Sequence, residues 1–462
     1  MENDRGPNSQ AIRWNHALLR LAALPVLAAS VFATGGVLQD EGDQDGAATE
    51  GEQVAADKAS GYVNFRWRSR WTADGDDDDT DLYGVVGVDY ESTDWSVHVL
   101  GRSSWSVTDQ EPGSVFYSEK DTHSDLDGDL YHAYVDFKTG EDWNLARVGR
   151  LLIYETPETV HFDGAQFETA PEGPTQVRFG GYGGSSVHLS EDWPSDEWLA
   201  GVYTTFRPWE QGTMRFDFMH FVDDARMGEG ENDLLTLGVV HRPKDNLRVE
   251  GQYSLLDGDS RDMRVRGFAV LPDQQLTVRA SYFQQFEREL NYASELNPYY
   301  NFLNAVEPYN QGQVTFTKVF DDSVSLAGGF DSRRVDEQAD IGRFNRDFDR
   351  YFLTASMIDL LPMDTTLGLT GEVWDSPQND ISTWGVDLKS HLEDGAEASV
   401  GSYYSLYKYY LDSDAEREDV RTYYGEYRRE LSEAASFKVR YEYEDESADS
   451  FHSIKVSVLW RF

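Results

Sequence analysis

Gly61-Tyr-Val-Asn-Phe-Arg-Trp-Arg-Ser-Arg-Trp71 interleaves two kinds of surface. Val63, Phe65, Trp67 and Trp71 have one parity; Asn64, Arg66, Arg68 and Arg70 have the other. An extended chain sends successive side chains to opposite faces, so this stretch predicts a strand with rings on one side and guanidinium groups on the other. The design recurs along the chain. Trp95, Val97, Val99 and Trp105 alternate with Ser96, His98, Arg102 and Ser104. Met214, Phe216 and Phe218 alternate with Arg215 and Asp217, and Leu247, Val249 and Tyr253 with Arg248, Glu250 and Gln252. Met263, Val265 and Ala269 alternate with Arg264 and Arg266, and Phe437, Val439, Tyr441 and Tyr443 with Lys438, Arg440 and Glu442.

The connections alternate as well. Tight ones such as Ser92-Thr-Asp94, Thr139-Gly-Glu141, Pro272-Asp-Gln274 and Glu393-Asp-Gly395 take turns with long polar ones at 73–81, 108–128, 222–232, 286–309 and 335–346. Short turns at one end and longer loops at the other are the pattern of a bacterial outer-membrane barrel. A soluble sandwich would point its polar face outward and would have to protect its edges, whereas closure removes them. The expected fold is therefore all-β: a transmembrane, antiparallel, up-and-down β-barrel over 61–462. An even count of about 18–22 strands fits, with 22 preferred. The doubtful stretch is 174–196, where Gly180, Gly181, Gly183 and Gly184 blur the alternation.

Composition narrows the function classes. The chain has 462 residues, no cysteine, 13% aromatic residues and a net charge of −44. Without cysteine there are no disulfides, thiolate metal sites or c-type haem attachment, and no metal or cofactor is expected. The negative charge opposes non-specific binding to nucleic-acid phosphates. The aromatic content is too high for a disordered chain. Residues 1–33 read as a secretory signal peptide: Arg13, His16 and Arg20 flank an apolar run from Leu21 to Phe32, and Val31-Phe32-Ala33 offers a cleavage site. Residues 34–60 are acidic and lack aromatic residues, the composition of a flexible periplasmic tail.

Two stretches carry resemblances. Ile454, Val456, Val458, Trp460 and Phe462 alternate with Lys455, Ser457 and Arg461, and the sequence ends on the aromatic. This resembles the C-terminal signal of outer-membrane β-barrels, which implies that Val458, Trp460 and Phe462 are read by the assembly machinery. Leu130-Tyr-His-Ala-Tyr-Val-Asp-Phe137, Arg147-Val-Gly-Arg150 and Phe162-Asp-Gly-Ala165 together resemble outer-membrane porins, including the alginate-export channel group. The likeness spans about 40 residues, and Leu151-Leu152 departs from it where a polar residue is common. The resemblance implies that the loop after the Gly-Arg strand folds into the channel as a constriction. That loop, 154–174, would carry Glu155, Glu158, Asp163 and Glu168.

If the apolar face meets lipid, the polar face lines a pore. The pore-lining bases are then Arg66, Arg68, Arg70, Arg102, Arg215, Arg248, Arg264, Arg266 and Arg440. Arg147 and Arg150 have opposite parity, so one of them must leave the lumen face or sit at its rim. Like charges around a pore select ions by sign, and the guanidinium fork suits carboxylates and phosphates. The competing reading pairs these arginines with inward acids in a stiff, water-filled wall. The acidic run 74–81 and Asp125–Asp129 read as solvated loops that lack an EF-hand's closing Glu. His98, His132 and His220 lack the spacing of a metal site or nucleophile elbow, so no enzyme is expected. The expected function is a porin in the outer membrane of a Gram-negative-type bacterium, passing small hydrophilic solutes. Its partners would be the bilayer and lipopolysaccharide, with a homotrimer as one assembly to test. The alternative is a barrel sheathing a partner such as a multihaem cytochrome; an outer-membrane hydrolase ranks third.

Overall fold

The computed structural model describes residues 58–75, 77–108, 116, 126–138, 143–154, 159–187, 197–223, 230–286, 308–320, 323–336, 347–361, 364–377, 380–392, 395–410, 415–446 and 450–462. Residues 1–33, read above as a signal peptide, and 34–57 of the expected tail lie outside them, as do Glu155 and Glu158.

The chain forms strands β1 (Lys58–Thr72), β2 (Asp78–Glu91), β3 (Trp95–Ser106), β4 (Leu126–Phe137), β5 (Trp143–Ile153), β6 (Val160–Thr169), β7 (Arg178–Ser186) and β8 (Trp198–Trp209). There follow β9 (Gly212–Asp223), β10 (Gly230–Lys244), β11 (Leu247–Leu256), β12 (Asp259–Leu271), β13 (Leu276–Gln285), β14 (Tyr309–Phe320) and β15 (Val324–Val335). The last are β16 (Phe348–Leu361), β17 (Thr365–Asp375), β18 (Ile381–His391), β19 (Ala396–Tyr410), β20 (Ala415–Ser432), β21 (Ala435–Asp445) and β22 (Ser450–Arg461). Each pairs antiparallel with its neighbour in sequence, and β22 returns to β1, with Tyr62 opposite Arg461 and Phe65 opposite Val458. The sheet is a closed barrel of 22 strands, with no free edge. A strand spacing of about 4.8 Å and a tilt of about 40° would give a backbone radius of roughly 22 Å.

Closure is built at its chemical seam. Gly61 and Phe462 exchange backbone hydrogen bonds of 2.9 and 3.0 Å, and the Phe462 ring lies over Gly61. A Cβ at Gly61 would stand 2.6 Å from both the Gly87 carbonyl oxygen and that ring. Glycine is required here for space.

The doubtful glycine stretch is strand β7. Its missing side chains are replaced by rings from the neighbouring strands: Tyr203 covers Gly180, and Phe167 covers Gly181. Aromatic cover of a glycine in a sheet compensates for the packing it lacks. The alternation is blurred in sequence because the rings that complete it belong to β6 and β8.

One expectation is overturned. Residues 154–174 are not a single inward loop, because Val160–Thr169 is strand β6, laddered to β5 and β7. Its phase is inverted over the first residues. Val160 and Phe162 are fully buried on the inward face, while Asp163 shares the outward face with Ala165 and the exposed Phe167. Read with apolar residues outward, the segment breaks its own alternation. Gly149, at φ +136°, holds a conformation that side-chain-bearing residues rarely adopt, and an added Cβ would stand 2.2 Å from the Ala133 carbonyl oxygen.

Candidate functional site: the inward wall

Large apolar side chains such as Val148, Val202, Phe216, Phe218, Leu235 and Leu353 are exposed on the outer face. The opposite face carries most of the charge. Arg66, Arg68 and Arg70 lie opposite Tyr83, Asp81 and Asp79 on that face. Arg102 lies opposite Val85 and stacks over Tyr83 at 5.2 Å, on the same side. Arg215, Arg248, Arg264, Arg266 and Arg440 take the inward parity of their strands, beside Asp217, Glu250, Gln252 and Glu426. Arg147 is inward, donating to Asp136 at 2.9 Å. Arg150 is outward, in a two-point pair with Asp163 at 2.9 and 2.8 Å. Asp163 is thus not a constriction acid. Glu168 is inward but sits within the wall of β6, where it accepts from the Tyr203 hydroxyl at 3.0 Å.

Much of this inward charge is compensated. Arg68 donates to Asp81 at 3.0 Å through Nε, and Arg70 is paired with Asp79, all four nearly buried. The sequence reading took 74–81 as a solvated loop, yet Asp79 and Asp81 belong to β2 and are 1% and 7% exposed. The run of aspartates hid the parity by which every second one meets an arginine of β1. Arg215 forks onto Asp217 at 2.7–3.0 Å and lies over Tyr203 at 4.1 Å. Arg440 bridges Glu426 and Glu442 at 3.0 and 2.8 Å.

A different balance holds along β11–β13. Arg248, Arg266 and Arg279 converge with Phe268, Ser281 and Gln313 around a depression of about 320 Å³. Glu250 is the acid in it, 2.6 Å from Arg248 and 3.9 Å from Arg266. Arg264 and Arg279 lie over the rings of Phe283 and Phe268 at 5.3 and 5.4 Å. This stretch of the wall carries excess positive charge.

Two further features were not read from the sequence. Phe116, within the 107–125 connection, is 4% exposed and sits 4.8 Å from the Arg70 guanidinium and 5.3 Å from the Phe451 ring. Arg70 and Phe451 belong to the inward wall, so the Phe116 ring lies on that side of the barrel. The second feature is an apolar inward patch at the long-connection end: Leu151, Phe162, Leu199, Met219, Phe221 and Leu234 are each at most 2% exposed. A lone Phe in an acidic loop gives no periodic signal. The patch was hidden because the outward residues beside it are mixed: Leu152, Phe218 and Leu235 are apolar, whereas Arg150, Asp163, His220 and Asp233 are polar.

No protein-family model and no curated protein matches the chain. Solved structures share its architecture at low similarity. OccAB4 of Acinetobacter baumannii is 10% identical, with a TM-score of 0.44, over 89% of this chain and 99% of that one. OccK7 (OpdD) of Pseudomonas aeruginosa is 12% identical, with a TM-score of 0.42, over 88% and 99%. OccK2 (OpdF) of Pseudomonas aeruginosa is 11% identical, with a TM-score of 0.41, over 88% and 97%. Likeness of this degree lends no weight to a particular function.

Proposed function

We propose that the chain is an outer-membrane porin of a Gram-negative-type bacterium, a passive channel for small hydrophilic solutes. The observation that carries this reading is a closed 22-strand wall that is apolar outside and charged inside. In lipid every backbone polar group needs an internal partner, and a closed ladder supplies one. Such a barrel presents hydrocarbon-compatible side chains to the bilayer and lipopolysaccharide, and hydrated ones to its axis. Both ends of the barrel sequence lie at the short-turn end, which we assign to the periplasm, with Val458, Trp460 and Phe462 as the residues the assembly machinery engages.

We further propose a preference for anions, seated in the β11–β13 arginines rather than in the whole arginine set. Arginines matched by carboxylates add stiffness and little net field. Arg248 and Arg266 share Glu250 while Arg279 lies over Phe268, which leaves positive potential where a carboxylate can be met by a guanidinium fork. Proteoliposome swelling tests this. Vesicles with the refolded barrel should swell faster in isosmotic sodium gluconate, where the large ion is the anion, than in N-methylglucamine chloride, where the large ion is the cation. Arg266→Gln with Arg279→Gln should remove the difference. Equal swelling for both ions in the unmodified protein would refute the preference, and no swelling in any small solute would refute the porin reading. In that last case a barrel sheathing a partner, such as a multihaem cytochrome, becomes the account to pursue.

A further inference from the structure

The ladder between β18 and β19 is short. It holds six residue pairs, from His391↔Glu397 to Val386↔Ser402, and then stops. Beyond it Ile381–Gly385 stays laddered to β17 and Tyr403–Tyr410 to β20, but these two stretches form no pair with each other. The barrel wall is one sheet thick, so a break in its ladder is a break in the wall. A space of about 260 Å³ lies at the break.

Its lining comes from both faces. By register Glu372, Asp387 and Tyr424 belong to the inner face, and Trp384, Val386 and Tyr404 to the outer one. Arg421 joins the two sides. It lies opposite Tyr404 on the outer face, yet it donates at 2.5 Å to Oγ1 of Thr383, an inner-face residue opposite Glu372. A side chain rooted outside reaches one directed inward only through the gap. The same guanidinium donates to the Trp384 carbonyl and lies over the Trp384 ring at 4.7 Å. Arg421 is thus a bolt across the opening, held by side-chain contacts in place of a backbone ladder. The chemistry changes across the wall. Thr370, Glu372 and Asp387 give the inner mouth hydroxyl and carboxylate oxygens. The outer mouth has Trp384, 54% exposed, and beside it Val400 and Tyr423 are exposed too. Exposed Trp and Tyr on the outside of a barrel mark the belt where head groups meet hydrocarbon.

We propose that this opening is a lateral passage by which a single-chain amphiphile moves between the lumen and the outer leaflet. It lies toward the long-connection end of both strands, so under the outer-membrane reading above, on which the proposal rests, its outer mouth meets that leaflet. Oxygens at the inner mouth hydrogen-bond a polar head, while rings and aliphatic side chains at the outer mouth receive the chain out of water. The volume lies below the roughly 300–1,000 Å³ of drug-sized sites, and so suits one chain and not a two-chain lipid. Arg421 sets the closed state, because its contacts can be released without unpairing β17–β18 or β19–β20.

The test uses the full chain refolded into lipid vesicles. The sequence has no cysteine, so introduced thiols report without background. Leu388→Cys with Val400→Cys, a laddered pair, should close to a disulfide on oxidation. Trp384→Cys with Tyr404→Cys, the pair that would follow Val386↔Ser402 on the same face if the ladder continued, should not. For passage, a fluorophore is attached at Thr370→Cys on the inner wall, and the vesicles are titrated with stearic acid carrying a nitroxide at its chain end. Saturable quenching is expected there. Little is expected from a two-chain lipid with the same nitroxide, or at a fluorophore on Ser281→Cys of β13. Arg421→Ala should raise quenching at position 370 by about fivefold below saturation, equivalent to about 1 kcal/mol of released contacts. Heat-modifiable gel mobility reports which variants remain folded barrels, and Thr383→Val, which removes one anchor of the bolt, decides by a rise in the same direction if Arg421→Ala does not fold. Quenching is read whether or not the barrel conducts ions, so failure of the porin reading is seen separately. A disulfide between positions 384 and 404 as readily as between 388 and 400, no quenching at position 370, equal quenching at position 281 or by the two-chain lipid, or no rise in a folded bolt variant would overturn the proposal.

Discussion

At the scale of single residues, the inward arginines were legible and many of their partners were not. Arg66, Arg68 and Arg70 stand in clean alternation with rings, so their shared face follows from strand geometry alone. Asp79 and Asp81 stand in an unbroken run of acids, where parity leaves no mark in the sequence. Their burial beside Arg70 and Arg68 makes a sharp prediction. Removing one member of a buried pair leaves an uncompensated charge, at a cost of about 3–5 kcal/mol. Asp79→Asn should therefore lower the unfolding free energy read from a urea titration by an amount of that order, and Arg70→Met with Asp79→Met should recover most of it. Equal stability of Asp79→Asn and the unmodified protein would show that the pair is solvated. Gly61 carries a second prediction. With the Gly87 carbonyl oxygen 2.6 Å from any added Cβ, Gly61→Val must push apart a backbone contact at the closing seam. The compact band of unheated protein on a gel should be lost or weakened in this variant, while Gly251→Val, where a Cβ meets open space, should retain it.

At the scale of elements, periodicity found strands wherever one face was apolar and the other polar. It failed in β6, where the phase inverts and apolar side chains point inward, and it hesitated at β7, whose glycines are completed by neighbouring rings. Both failures have one cause: the inside of this barrel is not uniformly polar, so the face of a strand is set by its neighbours as well as by its own pattern. Phe116 rests on Arg70 and Phe451 of the inward wall. Phe116→Ala should raise single-channel conductance and, because the ring is buried against Arg70 and Phe451, lower the unfolding free energy read from a urea titration by about 3–5 kcal/mol. Unchanged conductance would place Phe116 clear of the solute's path. In the wall itself, Tyr203→Phe removes the hydrogen bond to buried Glu168 and should cost roughly 1–3 kcal/mol by the same urea assay.

For the whole molecule, the strand count was within reach of the sequence because alternation marks most strands one by one, although a strand and its connection take from 12 residues at β11 to 33 at β13. Closure itself was suggested by the last residues, and it is carried by the pairing of β1 with β22 and by the Phe462–Gly61 contact. Charge balance was the least legible property at this scale. A chain of net charge −44 encloses a wall with a positive stretch at β11–β13, because its excess acids are not spread evenly along its length. Counting inward arginines overstated the positive field; only their partners, set by register across strands far apart in sequence, show where it survives. The most direct test of the central claim is single-channel conductance of the refolded chain in a planar bilayer under a potassium chloride gradient. A water-filled barrel with the β11–β13 arginines on its inner wall predicts steady conductance and a reversal potential biased toward chloride. A folded, inserted barrel with no conductance would contradict the account of an open channel, and a potassium-biased reversal potential would contradict the assignment of selectivity to those arginines.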